Sequence, residues 1–176
     1  MRSAHVDQTH AFFNGSSVFL EAVGLENRPH IVDIKKPDSP DAHTWRVITA
    51  LPEHKASRYG FGTYMAKDYD ELIDSPVEMG NFILGQFEAC GVPHEIAITG
   101  KVPNLDLKRI EDDLRKICET EITLFEPETR KAPVSRYVFF VMVVKNGYGG
   151  LEHRASTALL CSRSSLPSKN RAENPQ

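Results

Sequence analysis

The chain has 176 residues, of which 40% are hydrophobic and 26% charged, and its net charge is −3. This is ordinary globular composition, and it provides neither the basic surface of a nucleic-acid-binding protein nor a polybasic patch for an anionic membrane. No apolar run approaches the roughly 20 residues of a membrane-spanning helix, and the polar residues 1–10 do not resemble a signal peptide. We therefore expect no nucleic-acid partner, no membrane contact and a cytoplasmic location.

The first hundred residues have the pattern of a mostly β region. Proline and glycine predict a loop at 50–66, and a short helical turn is expected at 68–73, before Pro76. Two of the predicted strands are joined by a hairpin-like connection at 90–93. Alternating or β-rich runs predict strands at 18–23, 31–34, 45–49, 82–88 and 94–99.

The pattern changes near residue 100 to one helix followed by strands. Asp106 is suited to cap the helix, because its carboxylate can accept a hydrogen bond from a free N–H group of the first turn. Residues 137–144 (YVFFVMVV) are continuously apolar and predict a buried strand. A turn at 146–150 and a strand at 151–161 follow. A single apolar stripe at helical spacing supports a helix over 106–121, formed by Leu107, Ile110, Leu114 and Ile117.

These elements predict an α+β fold in two parts. A β-rich N-terminal domain, a partial β-sandwich or saddle, is expected at 1–100. The opening helix and strands of a second domain are expected at 101–161, and a polar tail or loop at 162–176.

A metallopeptidase helix motif is absent from the sequence. Such a motif requires His-Glu-x-x-His, because i, i+4 spacing places both imidazoles on one helix face. His94-Glu95 begins the pattern, but Ile98 stands where the second histidine belongs. His5 and His10 are five residues apart and do not fit either. We therefore expect no metal ligands in this chain.

Residues 148–157 carry the most unusual combination of side chains. Gly149 and Gly150 allow close approach of a ligand to the backbone, and Glu152 and His153 follow at once. Neighbouring residues of a strand point to opposite faces, so only one of this pair can face a given cleft and the other must be structural. The alternative is a glycine turn that leads into an exposed strand.

This stretch resembles the signature of the glycyl aminopeptidase family, which consists of thermolysin-like zinc peptidases that usually carry a C-terminal PDZ domain. The residues that carry the resemblance are Gly149-Gly150-Leu151-Glu152-His153, followed by Arg154-x-Ser156-Thr157. Further colinear similarities cover most of the chain, at 12–15, 68–74, 76–80 and 91–94.

The resemblance implies that the chain is a fragment of a zinc metallo-aminopeptidase, or hydrolase of peptide N-termini. It would begin in the β-rich domain and stop early in the thermolysin-like catalytic domain, before the zinc motif. Zinc is then the cofactor of the full-length family, and none is expected to bind this fragment, which we expect to be inactive alone.

The same resemblance assigns substrate-binding roles. Glu152 is expected to bind the α-amino group at the N-terminus of a peptide, and Gly149 and Gly150 to let the peptide backbone lie close. Tyr148 is a candidate for the cleft wall, although an exposed turn tyrosine is the alternative. Glu78 is a candidate to approach the cleft from the β-rich domain, against a surface loop carboxylate.

The sequence also leaves an alternative function open and predicts self-association. The alternative to an enzyme fragment is a non-catalytic peptide-binding β module derived from such an enzyme. Without the rest of the catalytic domain, residues 137–161 would expose apolar surface, which favours self-association.

Overall fold

The computed structural model describes residues 3–169, and it shows an α+β fold in which strands predominate, as the sequence predicts. Of the helices in this range, none has the length and apolar character that crossing a membrane requires. The elements are β1 (Ala4–Val6), β2 (His10–Phe13), β3 (His30–Ile34), β4 (Arg46–Thr49), β5 (Gly62–Ala66), α1 (Tyr69–Ile73), β6 (Val77–Gly80), β7 (Ile83–Ala89), β8 (Val92–Thr99), α2 (Leu107–Phe125), β9 (Tyr137–Val144), β10 (Tyr148–Glu152) and β11 (Ser156–Ser162).

The strands form three sheets. A four-stranded sheet has the order β1-β2-β6-β4, and β3 pairs with β5 in a two-stranded sheet. A five-stranded sheet has the order β10-β11-β9-β8-β7. In it β9 is parallel to both neighbours, and α2 forms the crossover that joins β8 to β9.

The five-stranded sheet is covered on both faces. On one face, the four-stranded sheet packs across an apolar layer that includes Phe12 and Phe140, each no more than 2% exposed. On the other face, α2 covers Ile98 and Val141. Successive residues of β9 contribute to opposite apolar layers. The continuous apolar run of this strand is therefore explained by burial on both faces.

The burial of β9 removes the exposed apolar surface from which self-association was predicted. Val138 and Phe140 are at most 1% exposed, and Val141 and Val143 at most 9%. The expectation that this strand exposes apolar surface is therefore wrong for the described chain, because α2 and the four-stranded sheet enclose it. Self-association itself stays a prediction.

The predicted helix is confirmed as α2. The Asp106 carboxylate accepts a hydrogen bond from the Arg109 backbone N–H at 3.2 Å, which is the expected N-cap. Leu107, Ile110 and Leu114 pack against the sheet. Ile117, the fourth residue of the stripe, is instead 55% exposed.

Several other predictions are wrong in identifiable ways. The expected strand at 18–23 is mostly irregular, with turn residues only at 18 and 23 within this segment, and Leu20 is 92% exposed. The expected loop at 50–66 contains β5. The expected turn at 146–150 overlaps β10, since pairing with β11 overrides the weak strand preference of glycine. The expected strand at 151–161 is interrupted by a turn at 153–155.

The expected boundary near residue 100 falls inside a continuous sheet. Every described strand up to Gly80 belongs to the four- or two-stranded sheet, and every described strand from Ile83 onward belongs to the five-stranded sheet. The change of pattern near residue 100 marks the crossover through α2. The division into domains at 100 stays a prediction, while the change of sheet lies at 80–83.

The cap of α2 gives a test of the fold. Replacing Asp106 with alanine should lower the free energy of unfolding by about 1 kcal/mol, because the first turn loses its hydrogen-bond acceptor. Urea denaturation measures this change. Asp113→Ala on the exposed middle of α2 is the matched control and should change stability by less than about 0.5 kcal/mol. Equal effects of the two variants would contradict the capping role.

Candidate functional site

The strand β10 lies at the edge of the five-stranded sheet. It pairs with β11 along one side, where Gly149 lies opposite Leu160 and Glu152 opposite Thr157. Among residues 3–169, no strand pairs with its other side. Such an edge presents backbone N–H and C=O groups to which an extended peptide can add as a further strand.

Packing within the chain does not require the two glycines of β10. A Cβ atom on Gly149 would come no nearer than 3.9 Å to Leu160, and on Gly150 no nearer than 3.4 Å to Leu159. Neither glycine has the left-handed φ that would exclude a side chain. Gly147 is different, because a Cβ there would lie 2.6 Å from Val144 Cγ2. The absence of side chains at 149 and 150 therefore leaves space beside the strand for a ligand backbone.

Two cavities border β10. One, of about 390 Å³, is lined by Tyr148, Gly149 and Gly150 together with Ser3. The other, of about 350 Å³, is lined by residues of α1 and of the 152–154 segment, and Leu151 contributes to both. We call the two cavities and the strand between them the β10 groove. Tyr148 is 97% exposed at the start of the strand, so its side chain is available to a ligand and is not packed into the protein.

Glu152 ends β10 and is exposed to solvent. In the described part of the chain its carboxylate has no hydrogen-bond donor and no ion-pair partner. Burial raises the pKa of Tyr137 to about 12, and the neighbouring Cys118, Glu152 and Asp74 add smaller contributions in the same direction.

His153 is structural, as strand alternation predicts for one member of the pair. Its side chain is 5% exposed, and its Nδ1 lies 2.9 Å from Asp74 Oδ1. The Arg154 backbone N–H donates to Asp74 Oδ2, also at 2.9 Å. Asp74 therefore holds the turn after β10 in place. The sequence carries no local signal for this role of Asp74, since its partners lie 79 and 80 residues further along the chain.

Glu78 does not reach the β10 groove. It is 1% exposed and lies between the two larger sheets, opposite Phe12 and Ile48 in the strand register. Its Oε1 lies 2.9 Å from His10 Nδ1 and accepts a hydrogen bond from Thr99 Oγ1 at 3.0 Å. Strand alternation in β6 turns this side chain into the core, so it is neither a cleft residue nor a surface loop carboxylate in this structure.

The His94-Glu95 pair lies in β8, as predicted, and both side chains are buried. The Glu95 carboxylate accepts hydrogen bonds from Arg58 and Tyr59. His94 Nδ1 lies 2.8 Å from the Val92 carbonyl oxygen, and burial lowers the pKa of its imidazole. Neither residue is directed at the β10 groove or available to a metal ion.

Comparisons with known proteins agree with this architecture. The Peptidase M61 N-terminal domain matches residues 1–81, and this match ends where the strands change from the first sheets to the five-stranded one. An aminopeptidase N family protein from Idiomarina loihiensis superposes with a TM-score of 0.88 and 41% identity. Together these findings support a peptidase family. The superposition covers 99% of the chain but only 28% of the Idiomarina protein.

A more distant structure shares the fold. LTA4 hydrolase from yeast superposes with a TM-score of 0.51 and 11% identity, over 87% of this chain and 23% of that protein. No match was found among curated proteins.

The role of Asp74 gives a prediction. Asp74→Ala should speed hydrogen exchange of the Arg154 amide and lower the free energy of unfolding by about 1–3 kcal/mol, since the buried His153 imidazole loses its partner. Exchange measured by NMR and urea denaturation report the two effects.

Asp70→Ala is the matched control, because within the described residues the Asp70 carboxylate contacts the exposed Arg154 guanidinium, at 3.4 Å. It should leave both quantities nearly unchanged. If Asp74→Ala behaved like this control, the turn at 153–155 would be held by something other than Asp74.

Proposed function

We propose that the chain is part of a zinc metallo-aminopeptidase that removes glycyl or alanyl residues from peptide N-termini, and that β10 is its substrate-binding strand. The peptidase match over residues 1–81 and the likeness to the Idiomarina protein support the class of enzyme. The glycyl preference comes from the resemblance of residues 149–157 to glycyl aminopeptidases.

One observation carries the proposal: Glu152, whose carboxylate has no partner among residues 3–169, ends a strand that lies at the sheet edge in these residues and whose glycines leave room for a peptide. An α-ammonium group placed beside this carboxylate would form a charge-assisted hydrogen bond. The peptide would extend from there along the free edge of β10, with its backbone paired to that of Gly149 and Gly150.

Anchoring the amine in this way explains exopeptidase selectivity. The position of Glu152 fixes the distance between the peptide N-terminus and the bond to be cleaved. A blocked N-terminus lacks the positive charge, so it leaves the Glu152 carboxylate without a partner in the bound state. Asp74 contributes indirectly, because it holds the turn that follows Glu152.

The residues around the β10 groove do not fit a zinc ion. The histidine nearest to Glu152 in sequence, His153, has its Nδ1 at Asp74, and its Nε2 is buried without a partner in the described chain. His94 and Glu95 are buried in β8. Catalytic zinc ligands and a general base for a peptide in this groove would therefore have to come from residues other than those that border it, and we expect the chain alone to bind peptides without hydrolysing them.

The resemblance also supplies expectations for the whole protein. A thermolysin-like catalytic domain and a C-terminal PDZ domain belong to this proposal, and so does the cytoplasmic location, which is inferred from the composition and not from the resemblance. The second candidate function is a non-catalytic peptide-binding β module, and it is favoured by the combination of a free edge strand with the lack of fit to zinc. Both functions use the same peptide-binding strand, and they differ in whether the bound peptide is hydrolysed.

The role of Glu152 predicts a change in peptide affinity. Glu152→Gln should weaken binding of a Gly-Ala-Ala peptide by roughly tenfold to a hundredfold, because a hydrogen bond to a charged group contributes about 1.5–3 kcal/mol. Isothermal titration calorimetry measures this. Glu119→Gln, at an exposed position on α2, is the matched control and should bind like the unaltered chain.

N-acetylation of the peptide provides a second arm. The acetylated peptide should bind the unaltered chain as weakly as the free peptide binds Glu152→Gln. Acetylation and Glu152→Gln together should weaken binding little more than either change alone. Equal affinity for free and acetylated peptides would contradict the proposal that Glu152 binds the peptide amine.

Hydrolysis distinguishes the two candidate functions. The purified chain should not cleave glycyl or alanyl p-nitroanilide, with added zinc or with a chelator. Zinc-dependent turnover that Glu152→Ala abolishes would contradict our statement that this chain lacks a zinc site for catalysis. A longer protein that contains this segment should cleave both substrates if the aminopeptidase proposal holds, and should only bind peptides if the binding-module alternative holds.

A further inference from the structure

The hairpin of β1 and β2 brings three potential metal ligands together. His5 and Asp7 flank Val6 at the end of β1, and His10 begins β2. One ligand atom from each residue lies within 4.8 Å of the others. The two imidazole rings lie 4.8 Å apart between centroids, and His5 Nε2 lies 3.0 Å from Asp7 Oδ2.

The hairpin fixes the Asp7 carboxylate in an orientation suited to binding. Its Oδ1 accepts hydrogen bonds from the Thr9 hydroxyl and backbone N–H, both at 2.7 Å, and from the His10 backbone N–H at 3.1 Å. The other oxygen, Oδ2, faces His5. These hydrogen bonds, the Thr9 hydroxyl first, hold the pKa of Asp7 below its ordinary value, so the carboxylate is ionised at neutral pH.

A buried carboxylate orients the imidazole of His10. Its Nδ1 lies 2.9 Å from Glu78 Oε1, and Glu78 is 1% exposed. This contact uses Nδ1 and leaves Nε2 for a ligand. Metal-binding histidines typically donate their second ring N–H to a carboxylate, which fixes the ring and increases the basicity of the ligating nitrogen.

The position of Glu78 is the independent observation that distinguishes this cluster from an ordinary surface ion pair. A carboxylate buried in an apolar layer costs free energy unless it is paired. Glu78 Oε2 is buried with no hydrogen-bond partner in the described chain, so Oε1 carries its pairing to His10 and Thr99. This placement is costly for a residue whose only role is packing, and it is expected for one that positions a metal ligand.

We propose that His5, Asp7 and His10 form a binding site for a divalent first-row transition-metal ion such as Zn²⁺, with Glu78 as the residue that positions His10. Two imidazole nitrogens and one carboxylate oxygen match the ligand types of zinc sites, and the fourth position is open to solvent. The metal would clamp the two strands of the hairpin together.

Only small side-chain movements are needed. Ligand atoms around tetrahedral zinc lie about 3.3 Å apart, given bond lengths of about 2.0–2.2 Å. The His5–Asp7 contact at 3.0 Å is already close to this value. His5 and Asp7 are about half exposed, so their side chains are free to adjust. The site lies on the four-stranded sheet and depends neither on the β10 groove nor on the proposed peptidase chemistry.

The test is metal binding to the metal-free full chain. Titration with Zn²⁺ in competition with a chromophoric chelator should show one tight equivalent. Co²⁺ should give a visible absorption spectrum without the near-ultraviolet band of thiolate ligands, which excludes Cys90, Cys118 and Cys161 as the source.

Three variants locate the site. His5→Ala and Asp7→Asn should each weaken the tight equivalent at least tenfold, and Asp7→Asn retains an oxygen for the Thr9 hydrogen bonds. Glu78→Gln should weaken it by about 10- to 100-fold through the orientation of His10. His43→Ala removes an exposed histidine elsewhere and should bind metal like the unaltered chain.

Circular dichroism melts establish that each variant is folded before its affinity is compared. His5→Ala keeps the test valid even if Glu78→Gln fails to fold, because His5 is exposed and, among residues 3–169, its side chain has its polar contact with the exposed Asp7. The absence of a tight equivalent in the unaltered chain would overturn the proposal, as would unchanged affinity in His5→Ala and Asp7→Asn.

Discussion

The carboxylate of Asp74 is the contact on which the β10 groove depends. It follows α1, in the part of the chain that forms the first sheets, and binds the His153 imidazole and the Arg154 backbone N–H. Both bonds reach the turn immediately after Glu152. Because no described strand pairs with the other side of β10, this turn and the pairing with β11 hold the strand in place. The direction of Glu152 therefore depends on a residue outside the five-stranded sheet.

The sequence predicts those elements whose causes are local. The helix α2 has its cap and its apolar stripe within its own residues, and β9 has an apolar run that is typical of a strand covered on both faces. β10 was predicted as a turn because glycine usually marks one, and only the distant strand β11 makes it a strand. The contact of Asp74 with His153 spans 79 residues and has no local signal. The candidate site could be predicted at Glu152 and the glycines but not at the residue that supports them.

Two glutamates show why residue type alone does not assign a role. Glu152 and Glu78 were both candidates for substrate binding. Glu152 lies at a strand end in solvent, with no partner in the part of the chain that the structure describes, and there a carboxylate can bind a cation at little desolvation cost. Glu78 lies in the apolar layer between two sheets, where it must be paired and where it orients His10. The alternation of side chains in β6 directs Glu78 into the core. The strands β2 and β6 were not predicted, because the polar residues His10 and Glu78 do not fit a pattern of apolar alternation.

The central claim is that Glu152 receives the peptide amine at the end of an edge strand. A crystal structure of the chain with bound Gly-Ala-Ala tests it most directly. We predict that the peptide nitrogen lies within hydrogen-bond distance of the Glu152 carboxylate and that the peptide backbone pairs with the free side of β10. A peptide bound at another surface, or one whose amine contacts a different carboxylate while β10 stays unpaired, would contradict the claim.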